Sequence, residues 1–380
     1  MDKPRQIFYK GDLYLINDRN VLFGLHELAG VGWRTIERLV SGVSGAISGL
    51  LDAEPADLVA FGVKPNAAAA ICGKLTPAFI ESRLDTYVRH RVSFVTEADP
   101  NYPPLLREIA QPPWVLYYRG DLSVLTRPCI AMVGTRSPTA YGRKIAFELA
   151  RDLSSGGLCI ASGLARGIDS SAHRGALEGE GGTAAVLGCG PDRVYPIENA
   201  SLYADITQKG VIVSEYPLGT EPKPGLFPQR NRIISGLSLG TVVVEAASRS
   251  GSLITADQAL EQSRDVFAVP GPITSSQSSG TLDLIRQGAK LVTCAEDIME
   301  EYRRYSTKNV PGSRADTVQD GVETSADERK LLELMSAVPI TFDELLVLSG
   351  IEFGHLHSVL LNLILKKKIE PLPGSAYIRL

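Results

Sequence analysis

Between residues 115 and 305 the sequence alternates short, nearly unbroken apolar runs with amphipathic helical stretches. The runs are CIAMVG, LCIASG, TAAVLG, VIVSE, TVVVEA, DVFAVPG and KLVT. Runs of this length that are rich in β-branched residues predict strands buried on both faces, and such strands occur in parallel sheets covered by helices. We therefore predict an α/β central domain, a Rossmann-like doubly wound parallel sheet. Ligands of such sheets bind beyond the carboxyl ends of the strands.

Three segments within this region place arginines beside glycines where a helix should begin. They are GTRSPTAYG (134–142), SGLARGIDSSAH (162–173) and FPQRNRIISGLS (227–238). Glycine lets backbone N–H groups approach a ligand, and arginine can donate two hydrogen bonds to phosphate oxygens. A helix N-terminus adds a positive dipole end. If the three loops converge on one edge of the sheet, they form an extended site for a polyanion.

The flanking segments predict further domains, as expected for a chain of 380 residues. Residues 1–114 are mostly helical in pattern, with leucines at helical spacing before a Gly-x-Gly turn in GVGWRTIERLV, and they end in a proline-studded connector. We predict an all-α, SAM-like or helix-hairpin-helix domain there, in a structural or protein-docking role. Residues 306–325 are polar and without periodicity, which predicts a flexible linker. Residues 326–380 predict a winged-helix domain from three helical stretches and a hairpin.

Composition and charge leave the class of ligand open. The net charge of −4 argues weakly against nucleic acid, but residues 115–305 contain 15 Arg and only 4 Lys. Arginine is the better residue for bidentate phosphate contact and for stacking on bases. The five cysteines form no CxxC pair, which indicates a reduced, cytoplasmic setting. No signal peptide or membrane-spanning run is predicted.

The residues suited to catalysis or metal binding have plain structural interpretations. Asp169 and His173 are one helical turn apart, but a metal site needs further ligands, so we interpret them as a helix cap and a packed histidine. Glu245 ends a strand and is either a general base or an anchor for the start of the next helix. Neither a G-x-G-x-x-G fingerprint after the first strand nor a Walker A sequence is present. We predict no catalytic residue, no cofactor and no metal.

Five strings follow one another along the chain: VGTRSPTAYG, SGLARGIDSSAHRGAL, AVLGCGPDRVYPIEN, FPQRNRIISGLS and VVVEAASRSGSLITADQAL. Together and in this order they resemble the DNA-processing protein A family (DprA, also called Smf). The resemblance implies a protein that binds single-stranded DNA, shields it from nucleases and helps load the RecA recombinase onto it during natural transformation. It also implies a homodimer. From the residues themselves, Phe227 in a proline-bounded loop is expected to stack on a base, and the alternative is that Phe227 fills the core and Arg232 forms a structural salt bridge.

The predicted single-stranded DNA site follows from these motifs. Its residues are Gly134, Arg136, Ser137, Ser162, Gly163, Arg166, Gly167, Phe227, Gln229, Arg230, Asn231, Arg232, Ser250 and Gly251. Gln229 stands where many members of the family have a basic residue, which removes one potential phosphate contact.

Two other functions remain open at this stage. Rossmann-like folds with a strand-end glutamate also cleave nucleotide N-glycosidic bonds, and Glu245 with Arg166 would be the residues for that reaction. A winged-helix transcription factor would instead bind duplex DNA through residues 326–380. The favoured prediction is a non-enzymatic, sequence-tolerant single-stranded DNA binder that does not contact membranes.

Overall fold

The computed structural model describes residues 16–302, 326–335, 340–366, 368–372 and 376–379. The chain divides into two compact units, Met1–Lys308 and Asn309–Leu380. The predicted linker over 306–325 lies outside the described residues.

The first unit begins with five helices. They are α1 (Asp18–Glu27), α2 (Trp33–Gly42), α3 (Pro55–Ala60), α4 (Pro65–Lys74) and α5 (Pro77–Arg89), with a 3₁₀ turn over Ile47–Leu51. Proline opens α3, α4 and α5, where its missing N–H costs no helical hydrogen bond. The side chains of Asn17 and Thr76 accept hydrogen bonds from the first turns of α1 and α5. These residues therefore fold as the helical pattern predicts.

Strands and helices then alternate. They are β1 (Ser93–Thr96), α6 (Pro104–Arg107), β2 (Val115–Gly120), β3 (Cys129–Val133), α7 (Ala140–Ser155), β4 (Cys159–Ser162), α8 (Ile168–Ala176), β5 (Thr183–Leu187), α9 (Ala200–Lys209), β6 (Val211–Ser214), α10 (Leu226–Gly236), β7 (Gly240–Val243), α11 (Gly251–Glu261), β8 (Asp265–Ala268), α12 (Ser279–Arg286), β9 (Lys290–Leu291) and α13 (Glu296–Met299). Short 3₁₀ turns cover Leu122–Thr126, Ile197–Asn199 and Ser276–Ser278.

The nine strands form one sheet in the order β1-β2-β6-β5-β4-β3-β7-β8-β9. The pairs from β6 to β9 are parallel. All seven predicted strands are present, and the Rossmann-like prediction is confirmed. Along the chain, β3 to β6 are added to one side of the sheet and β7 to β9 to the other. The order of strands therefore reverses between the adjacent strands β3 and β7. This switch point is where an open α/β sheet leaves a crevice for a ligand.

The antiparallel edge of the sheet was not predicted. β1 pairs antiparallel with β2, and β2 pairs antiparallel with β6. β1 lies just before the proline-rich segment DPNYPPLLREIAQPPWVLYYRGDL that we expected to be a connector, and β2 lies within it. The predicted domain boundary near residue 114 lies between these two paired strands, and the division at that point stays a prediction.

The strands are apolar throughout because both faces of the sheet are buried. On β3, Ala131 and Val133 pack into one core, whereas Ile130 and Met132 pack into the core on the opposite face. At the antiparallel edge, Tyr117 packs with the N-terminal helices, including Phe23.

The second unit is a winged-helix fold, as predicted. It contains α14 (Ala326–Leu334), β10 (Ile340–Thr341), α15 (Phe342–Ser349), α16 (Phe353–Leu365), β11 (Ile369–Leu372) and β12 (Ala376–Arg379). The strands form a small sheet in the order β10-β12-β11. A reciprocal capping box between Thr341 and Glu344 starts α15, and Gly350 ends it at φ 64°. Leu331, Leu345 and Leu356 are fully buried in its core.

No single helix in the described parts of the chain is long and apolar enough to cross a membrane. Only α15 and α16 taken together reach the required length and hydropathy, and they are bent by 113° to each other.

Candidate nucleic-acid interface

A pocket of about 570 Å³ lies at the switch point, beyond the carboxyl ends of β3 and β7. We call it the switch-point pocket. It is lined by Val133, Gly134, Arg136, Ala165, Asp169, Tyr195, Pro224, Phe227, Pro228, Arg230, Asn231, Ile234, Ser250, Gly251, Ser252, Ile254 and Thr255. All three predicted loops contribute to it, together with the start of α11.

A smaller recess of about 30 Å³ adjoins this pocket, and we call it the Arg166 recess. Its lining consists of Arg136, Gly163, Ala165, Arg166, Tyr195, Pro196, Phe227 and Arg230. Five of these residues also line the switch-point pocket. The two cavities therefore form one groove along this edge of the sheet.

The first loop is positioned by Glu245, which is only 3% exposed. The Thr139 backbone N–H donates to Glu245 Oε2 at 2.9 Å, and the Thr139 hydroxyl donates to Glu245 Oε1 at 2.6 Å. Glu245 therefore anchors the start of α7 rather than the helix that follows it in sequence. Both carboxylate oxygens are engaged and Glu245 lines neither cavity, which favours the interpretation of this residue as an anchor over that as a general base. Arg136 and Ser137 are left exposed at the tip of the loop.

The second loop is fixed by hydrogen bonds to the Asp169 carboxylate. Its Oδ2 atom accepts hydrogen bonds from the Gly163 N–H at 3.1 Å and the Ala165 N–H at 3.4 Å. Asp169 thus satisfies amides of the loop before its helix, not those of the helix itself. Burial raises the pKa of Asp169, and the nearby Arg230 guanidinium opposes that shift.

Gly167 fixes the path of this loop. It has φ 82°, and a Cβ atom there would lie 2.4 Å from the Thr135 carbonyl oxygen. Only glycine fits this close crossing of the first and second loops. Arg166 beside it is exposed and forms an ion pair with Glu198.

His173 is a structural residue, as predicted. It is completely buried, and its Nε2 atom accepts a hydrogen bond from the Leu164 N–H at 3.3 Å. Its Nδ1 atom lies 2.7 Å from the Thr183 hydroxyl oxygen. Burial lowers the pKa of His173 to about 3, so the ring is neutral at physiological pH.

The third segment is not a loop, which corrects the sequence-based expectation. α10 begins at Leu226, so Phe227 and Pro228 lie in its first turn and the polar residues follow along the helix. Residues on a helix turn by about 100° each, and this separates Arg230 from Arg232. The two arginines consequently have different environments.

Arg230 is 4% exposed and lies at the base of both cavities. Its Nη1 atom donates to the Gly163 carbonyl at 2.8 Å and also to the Val186 carbonyl. Burial lowers the pKa of this guanidinium, while Asp169 acts in the opposite direction. An arginine stays protonated even so, and Arg230 therefore places a fixed positive charge beneath the groove.

Arg232 and Ser162, which we predicted to belong to the site, line neither of the two cavities. Arg232 pairs with Glu215 at 2.5 Å, the side chains are 17% and 12% exposed, and Arg232 lines neither cavity. Ser162 is completely buried and donates its hydroxyl to the Met132 carbonyl at 2.7 Å. In this conformation neither side chain can reach a ligand in the groove. Gln229 is exposed, and its Oε1 atom lies 3.5 Å from the Tyr216 hydroxyl, outside the cavity linings.

Two aromatic rings stand together where the cavities meet. The ring centroids of Phe227 and Tyr195 are 5.5 Å apart, with the planes inclined by 32°. The Arg136 guanidinium lies 5.8 Å from the Phe227 centroid. Sequence reasoning missed Tyr195, and the only signal for it was an aromatic residue beside Pro196 in a loop after a strand.

The N-terminus of α11 completes the pocket. Ser250 caps the helix by accepting a hydrogen bond from the Ser252 N–H at 3.3 Å. Gly251, at the first helical position, is exposed and lines the pocket. Amides at such a helix start can bind a phosphate. Sequence reasoning named Ser250 and Gly251 but missed Ser252, Ile254 and Thr255 in the following turns.

Within the described residues no cluster of three or more His, Cys, Asp or Glu side chains is arranged to hold a metal ion. The five cysteines are free thiols.

Comparison with known proteins identifies a matching family. Residues 93–303 match the model of the family described as DNA recombination-mediator protein A. The chain belongs to this family. Residues 315–375 separately match the winged-helix domain of DprA. The resemblance drawn from the sequence motifs is thereby confirmed.

Individual members of the family are similar over most of their length. The DNA processing protein DprA of Bacillus subtilis is 43% identical over 57% of this chain and 74% of its own. The X-ray structure of DprA from Streptococcus pneumoniae superposes with a TM-score of 0.66 at 34% identity, covering 75% of this chain and 99% of that one. The Helicobacter pylori protein, whose structure is described by its single-stranded DNA binding mode, gives a TM-score of 0.52 at 31% identity, covering 56% of this chain and 96% of that one.

Proposed function

We propose that this protein binds single-stranded DNA, without sequence preference, in the groove formed by the switch-point pocket and the Arg166 recess. The observation that carries the proposal is the meeting of cations and aromatic rings in one groove. The guanidinium carbons of Arg136 and Arg230 lie 5.8 Å and 6.0 Å from the Phe227 ring centroid. Sequence-tolerant single-strand sites combine these two elements, since cations follow the backbone and every base has a face that can stack.

The groove offers three groups suited to phosphate. Arg136 and Arg166 present exposed guanidinium groups on the first and second loops. The backbone amide of Gly251 at the start of α11 adds a neutral donor. Arg230 supplies a buried charge whose position is fixed by two carbonyl oxygens. These groups would contact the DNA backbone at several points, and backbone contacts carry no sequence information, which supports binding without sequence preference.

Single-stranded rather than duplex DNA is favoured by the position of the rings. Phe227 and Tyr195 line the cavities, where Arg136 and Arg230 lie beside them. A base can reach them only when it is unpaired and turned out of a helix. The Helicobacter pylori member of the family, described by its single-stranded DNA binding mode, supports the same ligand.

We further propose that the protein acts as a binder and not as an enzyme. Cleavage of an N-glycosidic bond would need a carboxylate directed at the substrate. Glu245, the candidate for that role, is buried and hydrogen-bonded through both oxygens to Thr139. Asp169, which does line the pocket, is engaged with loop amides. These contacts weigh against the hydrolase alternative.

The biological role that we propose is protection of incoming single strands and their transfer to the RecA recombinase during natural transformation, in the cytoplasm and as a homodimer. Membership in the DNA recombination-mediator protein A family supports this role. The five free thiols are compatible with a reducing compartment.

A salt titration with labelled oligo-dT tests the proposal. The slope of log affinity against log salt should become shallower by about 0.7 in Arg166→Ala, because one phosphate contact is lost. Arg136→Ala should behave in the same way. Arg174→Ala is the matched control, since Arg174 is exposed on α8 and lines neither cavity. Equal affinity and slope in all four proteins would reject the groove as the binding site, and base release from nucleoside monophosphates would favour the hydrolase.

A further inference from the structure

Tyr195 has an unusual position among the residues of the groove. It lines both the switch-point pocket and the Arg166 recess. It lies just before the 3₁₀ turn Ile197–Asn199, and 45% of its surface is exposed. A large aromatic side chain exposed inside a groove is available to a ligand.

Phe227, by contrast, is covered by its neighbours. A Cβ atom on Gly188 would lie 2.8 Å from the Phe227 Cδ1 atom, which means that the backbone of Gly188 is in contact with the ring. The guanidinium carbons of Arg136 and Arg230 and the ring centroid of Tyr195 lie 5.8, 6.0 and 5.5 Å from the Phe227 ring centroid. Phe227 is half-buried, so less of its surface is free for a base than that of the exposed Tyr195.

The contacts therefore indicate different roles for the two rings. Phe227 lies at the start of α10 and packs against the backbone, so it is fixed in place. Tyr195 rests against Phe227 at 5.5 Å and carries the accessible aromatic surface. The Arg166 guanidinium lines the same recess as this surface. A nucleotide could thus place its base on Tyr195 while its phosphate contacts an arginine of the same recess.

We propose that Tyr195 is a base-stacking residue of this protein and that Phe227 chiefly supports its ring. This inference rests on the proposed binding of single-stranded DNA. The ligand of the Tyr195 position is an unpaired nucleobase of any identity, because stacking on a ring face does not distinguish the four bases.

The test compares full-length variants in binding to labelled oligo-dT and to an abasic oligonucleotide of equal length. Tyr195→Leu keeps an apolar side chain but removes the ring, and it should weaken binding to oligo-dT by about 5- to 150-fold. Tyr195→Phe should stay within about twofold of the unmodified protein, because the ring is kept. Ile197→Ala is the matched control, since Ile197 is 73% exposed two residues away and lines neither cavity. On the abasic strand Tyr195→Leu should equal the unmodified protein.

The outcomes separate the inference from the function on which it rests. If the unmodified protein fails to bind oligo-dT, the proposed function is wrong and the inference falls with it. If it binds and Tyr195→Leu binds equally well, the function stands and the stacking role of Tyr195 is wrong. An equal loss on the abasic strand would also overturn the inference, because the ring would then only shape the groove. Should Tyr195→Leu not fold, photocrosslinking of the unmodified protein to 5-iodouracil oligonucleotides decides: a crosslink on Tyr195 supports the inference, and crosslinks only elsewhere overturn it.

Discussion

The Arg166 guanidinium forms an ion pair with the Glu198 carboxylate at the edge of the Arg166 recess, although the side chains are 63% and 55% exposed. Ion pairs exposed to this degree contribute little to stability. A phosphate can therefore replace Glu198 as the partner of Arg166. Without DNA, Glu198 pairs with the Arg166 guanidinium, which the proposed site would use to bind a phosphate.

Glu198→Gln should accordingly tighten binding to oligo-dT by about two- to fivefold, since the competing charge is removed and Arg166 is retained. Fluorescence anisotropy at low salt is the measurement, and the gain should shrink as salt screens the pair. Glu221→Gln provides the control, because Glu221 forms a similarly exposed pair with Arg193 outside both cavities. A gain of the same size in both variants would point to net charge instead of Arg166.

Arg232→Ala should lower stability while leaving binding nearly unchanged. Glu215 would remain in a site whose burial already raises the pKa of that carboxyl, and Arg232 is what opposes that shift. Removing one partner of a buried ion pair costs about 3 kcal/mol. Urea denaturation measures the loss, and anisotropy of the folded protein measures binding. A strongly reduced affinity of the folded fraction would show that Arg232 takes part in binding.

Acid should destabilise the protein through His173. Burial lowers the pKa of this imidazole from 6.5 to about 3 in the folded state. Below about pH 6.5 the unfolded chain binds a proton that the folded protein does not bind. The contribution of the neutral imidazole to the free energy of unfolding is therefore complete above about pH 6.5 and is lost as the pH falls toward 3. At about pH 5 the loss is about 2 kcal/mol. Urea denaturation at about pH 7 and pH 5 should show a smaller difference for His173→Gln than for the unmodified protein.

The winged-helix unit should be dispensable for binding single strands. Residues 326–380 contain six basic and seven acidic residues, and the first turn of α16 presents Phe353 and Gly354 to solvent. A helix that reads a DNA groove carries basic or amide side chains there. A chain ending near Tyr305 should keep most of the affinity for oligo-dT. Tight, salt-sensitive duplex binding by residues 326–380 alone would contradict this prediction.

The sequence by itself determined the parallel part of the sheet. Strands buried on both faces must be apolar at every position, and CIAMVG or TVVVEA can hardly be anything else. The same argument placed the loops of Arg136 and Arg166 at the carboxyl edge. It failed for β1 and β2, because these antiparallel strands lie among helices and prolines.

Only the tertiary structure decided which side chains of these loops face the groove. Arg230 and Arg232 look equivalent in the sequence, but two helical positions separate them by about 200°. One therefore lies beneath the pocket and the other pairs with Glu215. Tyr195 joins the site because its loop packs beside the start of α10, a contact between residues 32 positions apart that no local pattern encodes.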